Sequence, residues 1–125
     1  MTSDTFVLQI PPLAAHLGTA RTFVSQIVQH AGFDDGVVED VKLAISEACA
    51  GSVDPAAPGE RVVVRSTLGS EMVAFEVEGT GDFAPEGSGE DPARLDLIRT
   101  LFPDTTLDTH EDGRTTVSFT LPLGG

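Results

Sequence analysis

Three short stretches of this 125-residue sequence carry residue types that could do chemistry. The first is EDVKLAISEACAGSV, residues 39–53, with Glu47 inside it and Gly51 one helical turn further on. Val37, Val41, Ala44, Ile45, Ala48 and Ser52 recur at three- and four-residue intervals, which sets them along one side of a helix. A carboxylate at the edge of that apolar side is costly unless it has a partner or a task. The glycine is notable too, because it weakens a helix interior by about 1 kcal/mol relative to alanine. The second stretch is Glu76-Val-Glu-Gly-Thr-Gly-Asp-Phe83, at the end of a run of alternating apolar residues. Two glycines one residue apart, Gly79 and Gly81, let backbone approach a ligand closely while Glu78 accepts a hydrogen bond from it. A strand followed by Gly-x-Gly is more often simply a turn. The third is Gly87-Ser-Gly89, which reads either as a phosphate cradle or as a flexible linker.

The elements that would position these residues follow from periodicity. Phe6, Leu8 and Ile10 alternate with Val7 and Gln9, giving a first strand that ends at Pro11-Pro12. Leu13, Leu17, Ala20, Val24, Ile27, Val28 and Ala31 then keep helical spacing up to Gly32, with Pro12 tolerated near the helix start. Asp34 and Asp35 are candidate N-caps of the Glu47 helix, and Glu39 and Asp40 favour its early turns. Pro55 to Gly59 ends that helix. From Arg61 the period becomes two: Val62, Val64 and Leu68, then Val73, Phe75 and Val77, joined by Leu68-Gly69-Ser70-Glu71 as a hairpin. Gly79 to Pro92 reads as a long loop. Ala93 to Phe102 is a short amphipathic helix with Leu95, Ile98, Leu101 and Phe102 on its apolar side, stopped by Pro103. Thr105–Glu111 and Arg114–Leu121 form a last hairpin around Asp112-Gly113. Strands with one apolar face require all the helices on one side, so the expected fold is an α/β two-layer sandwich, helices packed on one face of a mixed, mostly antiparallel sheet.

Composition sets further bounds. The length suits one domain, residues 1–125, with no internal repeat and no interdomain linker. The opening MTSDTF has neither a basic nor an apolar segment, so no secretory signal is expected, and no apolar run approaches a membrane span. Cys49 is the only cysteine, which excludes an internal disulfide and fits a reducing cytoplasm; it is expected to be a small buried hydrophobe. His16, His30 and His110 fall in different elements, so no metal site is expected from them. Twenty acidic residues against seven basic ones give a net charge of −13. Such a surface repels nucleic acid and anionic membrane and steers a basic protein toward it.

The helix carrying Ser46-Glu47-Ala48-Cys49, followed some thirty residues later by strand–acid–Gly-x-Gly, resembles the anti-sigma-factor serine kinases of the GHKL, histidine-kinase-like ATPase superfamily, whose fold is Bergerat-like. The resemblance covers nearly the whole chain, including Leu13 to Val24 with Ala20-Arg21 and Phe23-Val24. It implies that Glu47 matches the general base of phosphoryl transfer, that the residue four further on is an asparagine holding Mg²⁺, and that Glu78 matches an aspartate that reads adenine, beside Gly79 and Gly81. Family members bind a sigma factor and an anti-anti-sigma factor, whose serine they phosphorylate, and are commonly homodimers. Arg21 matches an arginine of the shared partner-binding surface; composition alone makes it a solvated helix residue.

The sequence departs from this pattern where ATP would be held. Gly51 replaces the asparagine and has no side chain to bind a metal, on which phosphoryl transfer depends. Glu78 is one methylene longer than aspartate. The second glycine-rich box reads Glu90-Asp-Pro-Ala-Arg-Leu95, where Pro92 has no N–H and two acids stand where phosphate should sit. No Lys or Arg occurs from Glu76 through Asp91. The expectation is therefore a cytoplasmic anti-sigma-like regulator in which Glu47 is a vestigial base, with no metal and no cofactor. The alternative is an active ATP- and magnesium-dependent serine kinase acting on an anti-anti-sigma factor.

Overall fold

The computed structural model of the chain describes residues 3–53, 59–80 and 93–123. Its elements are β1 (Asp4–Ile10), a 3-10 turn (Ala14–His16), α1 (Leu17–His30), α2 (Asp35–Ala50), β2 (Val62–Leu68), β3 (Met72–Gly79), α3 (Ala93–Leu101), β4 (Thr106–Thr109) and β5 (Thr115–Pro122). The five strands form one sheet in the order β1-β2-β3-β5-β4, with antiparallel pairing at every step. The helices pack on one face, so the two-layer α/β sandwich is the architecture found, and the sheet is antiparallel rather than mixed.

Strand alternation settles which side chains meet the helices. Val62, Val64, Val73, Phe75, Val77, Val117 and Phe119 join Ala20, Val24, Val28, Val41, Ile45 and Ile98 in one buried core. Burying each large apolar side chain of this set contributes about 1.5–3 kcal/mol. Phe102 stacks on Phe119 at 4.4 Å between ring centroids, and Phe119 on Phe75 at 5.2 Å, which ties the end of α3 to the middle of the sheet. The Thr105 hydroxyl donates to the Phe102 carbonyl at 2.6 Å and closes that helix end.

Several expectations shift in detail. Leu13 precedes the helix, as the N-cap of the 3-10 turn, and is exposed. In α2 the buried face is Val38, Val41, Ala44, Ile45, Ala48 and Cys49, so Val38 and Cys49 belong to the stripe and Val37 lies at its edge. Phe6 keeps the inward phase of β1 yet stays 42% exposed, because β1 is an edge strand with one neighbour. β4 is shorter than the expected Thr105–Glu111 and hands over to β5 through a turn in which Gly113 has φ +87°. Gly32 ends α1 region with φ +92°, a conformation that suits glycine. The expected loop from Gly79 to Pro92 lies outside the described residues from position 81 onward, as do residues 54–58.

Candidate functional site

Asp34 starts α2 as its N-cap, accepting a hydrogen bond from the Val37 N–H at 2.9 Å. From that start, Val41, Ala44, Ile45, Ala48 and Cys49 turn fully inward, which places Glu47 at the margin of the buried face, 29% exposed. Its carboxylate faces Arg94 in the first turn of α3, with Glu47 Oε2 3.6 Å from Arg94 Nε. Gly51 continues the helical backbone at φ −61°, ψ −22°, and its N–H reaches the Glu47 carbonyl at 3.2 Å. The position therefore makes no use of glycine's left-handed freedom. Cys49 belongs to the core, where burial pushes its thiol up to about 12, so it is a protonated, unreactive hydrophobe at neutral pH.

Glu78 lies elsewhere. In β3 the side chains of Val73, Phe75 and Val77 face the helices, which turns those of Ala74, Glu76 and Glu78 to the opposite face of the sheet. There Arg114 donates from Nε to Glu78 Oε2 at 3.0 Å, and Arg65 donates from Nη1 to Glu78 Oε1 at 3.3 Å. Arg114 spends its remaining nitrogens on Glu60 Oε2 at 3.1 Å and the Arg61 carbonyl at 2.9 Å, and is 19% exposed. Burial by itself raises the Glu78 carboxyl, but hydrogen bonds and charge from Arg114 and Arg65 outweigh it and leave the group below its ordinary value. The sheet thus stands between Glu47 and Glu78, and the two do not line one cavity.

Gly79 is on the helix side, and its neighbour there is Ser52. A Cβ at Gly79 would come 2.7 Å from Ser52 Cβ, with Ser52 Oγ closer still. The glycine is required by this close approach of the α2 end to β3, so the space beside it is filled by the protein itself. Gly81 lies outside the described residues, as do Gly87, Gly89, Glu90, Asp91 and Pro92. Arg21 is half-buried on α1 and donates from Nη1 to the Ser46 hydroxyl at 3.0 Å across to α2.

Glu47's partner and Glu78's clasp are what the sequence reading missed. Arg65 and Glu78 both fall on the outward phase of neighbouring strands, a signal available in the alternation. Arg114 and Arg94 sit beside turns or helix starts with no local pattern that points to an acid far away in the chain.

Whether these residues suit Mg²⁺ and ATP can be judged from their partners. Glu47 already faces a guanidinium, Gly51 offers no side-chain ligand atom, and Glu78 is turned to the far side of the sheet under two arginines. Among the described residues no group of three His, Cys, Asp or Glu side chains is arranged to hold a metal ion. Position 51 thus brings no side-chain oxygen to a metal, and the second glycine box lies outside the described residues.

A two-layer sandwich with helices on one face of such a sheet, carrying a helix-borne glutamate next to the sheet's edge loops, is the architecture of the histidine kinase-like ATPases. The profile of the histidine kinase-like ATPase domain matches residues 10–121, and the chain belongs to that family. It is similar to the serine-protein kinase RsbW of Listeria monocytogenes, 29% identical over 124 aligned positions that cover 83% of this chain and 79% of the relative. The serine-protein kinase RsbW of Listeria innocua is matched at the same identity and coverage. Among the described residues no helix is long and apolar enough to cross a membrane.

Proposed function

We propose that this chain is a cytoplasmic regulatory protein of the anti-sigma type that works by binding and not by phosphoryl transfer. It occupies a sigma factor, an anti-anti-sigma protein, or each in turn, through α1 and the surface around Arg21, as one domain that also associates with a second copy of itself. The observation that carries this reading is the state of Glu47: its carboxylate is paired with Arg94, and the residue one turn further on is Gly51, which has no side-chain ligand atom. A general base needs a free carboxylate facing its substrate hydroxyl, and transfer needs a metal on the phosphate oxygens. Family membership supports the framework. The test is capture of a purified sigma factor or anti-anti-sigma protein by the wild type and by Arg21→Glu. The reading expects nucleotide-independent capture that Arg21→Glu weakens; no capture of either partner sinks it.

The second reading is an active serine kinase, favoured by the activity in the relatives' names. Under it, ATP with magnesium would bind at micromolar concentration, and Glu47→Ala would abolish phosphate transfer. Isothermal titration of the wild type with ATP and magnesium separates the two: heat of binding with a one-to-one midpoint favours the kinase, a flat trace the binding protein.

A further inference from the structure

The two halves of α3 are anchored unequally. Ile98, together with Phe102 just beyond the helix, enters the core, and Phe102 stacks on Phe119. In the first turn Leu95 is half-buried and Asp96 exposed, and the charged contact to the rest of the protein is Arg94 to Glu47. Arg94 also belongs to the stretch Glu90 to Leu95 that stands in place of a phosphate-binding glycine box. A cation that is part of the chain therefore meets the carboxylate.

We propose that the Glu47–Arg94 pair is a built-in latch that docks the first turn of α3 on α2 in the absence of nucleotide and metal. The proposal rests on the binding-protein reading above and adds its regulation: the conformation is formed constitutively, and ATP does not gate it. Glu47 is 29% and Arg94 43% exposed, so the pair is screened by water, and its effect is on the order of two- to fivefold in a local opening equilibrium. It weakens further with salt.

Amide hydrogen exchange on the full chain tests this. Glu47→Gln and Arg94→Gln should each speed exchange of the amides in the first turns of α3 by about two- to fivefold. The exchanged pair, Glu47→Arg with Arg94→Glu, should restore most of the protection. Raising NaCl from about 0.05 to about 0.5 M should speed exchange in the wild type and leave Glu47→Gln unchanged. Millimolar ATP with magnesium should add no protection to wild-type α3. Unchanged α3 exchange in both single variants, failure of the exchanged pair to recover it, or protection by ATP in the wild type would each overturn the latch. Capture of a sigma factor or anti-anti-sigma protein is measured separately. Its absence with α3 responding as expected removes the functional reading alone, and its presence with α3 unresponsive removes the latch alone.

Discussion

At the scale of single residues, the clearest constraint is Gly79 against Ser52. A Cβ at 79 would meet the Cβ of Ser52, an atom fixed to backbone and unable to swing away. Gly79→Ala should therefore destabilise the protein by about 1–3 kcal/mol, the usual range for overpacking. Ser52→Gly in the same chain should recover part of that loss by clearing the Cβ. Urea unfolding of the two variants measures it, and a neutral Gly79→Ala would mean that the α2 end yields freely. Ser66 makes an opposite prediction. Its hydroxyl is fully buried, lies across from Phe6 and Phe75 in the strand register, and has no hydrogen-bond partner. Leaving a buried hydroxyl unpaired costs about 1–3 kcal/mol, so Ser66→Ala should raise the unfolding midpoint and not lower it. Neither effect is legible in the sequence, where Gly79 reads as a ligand-approach glycine and Ser66 as an ordinary small residue in a strand. What decides both is the identity of a neighbour far away in the chain.

At the scale of elements, Arg114 ties the start of β5 to two other pieces: β3 through Glu78, and the approach to β2 through Glu60 and the Arg61 carbonyl. Glu78 is the centre of this clasp, 25% exposed and shared with Arg65. Its carboxyl lies below the ordinary value of 4.5 in the folded protein, so the folded state binds its proton less readily than the unfolded chain does. The stabilisation is complete above the unfolded value and disappears as pH falls through the lower folded value. Glu78→Gln should cost about 1–3 kcal/mol at neutral pH, the range for hydrogen bonds to charged groups, and should flatten the stability curve below pH about 4.5. Denaturation midpoints taken across the acid range would show it; parallel curves for variant and wild type would assign the acid slope to other carboxylates. The hairpin β2–β3 and the three helices were legible in the sequence, because periodicity and turn residues are local. The face on which Glu78 lies was equally legible, since Val77 next to it belongs to the apolar phase. Position relative to the Gly-x-Gly motif, and not strand phase, suggested that it shares a site with Glu47.

At the scale of the whole molecule, two features depend on pairings between distant segments. β5 lies between β3 and β4, so the last hairpin contributes an inner strand and an edge strand; its local sequence gives no sign of which is which. The second feature is charge asymmetry. The chain carries −13 overall, yet no Asp or Glu occurs from Thr5 through Phe33, the segment that forms α1 and all of β1 after its first residue, Asp4. The segment bearing Arg21 thus brings no negative charge of its own to a contact, while the acidic excess of the rest of the chain attracts a basic partner over longer distance. These two influences separate experimentally. Thr22 and Gln26 are exposed on α1 and flank half-buried Phe23. Placing a carboxylate there, Thr22→Glu or Gln26→Glu, introduces a buried or repelled charge into the contact that the proposed function assigns to α1. Each should weaken capture of a sigma factor or anti-anti-sigma protein about tenfold or more, mainly through faster dissociation. Glu111→Gln, in the exposed turn between β4 and β5, changes the net charge by the same single unit, in the opposite sense, without touching α1. It should alter association rate and its salt dependence only. Surface plasmon resonance at two salt concentrations distinguishes them, and equal effects from α1 and the β4–β5 turn would show that charge alone, without a docking face on α1, governs the binding.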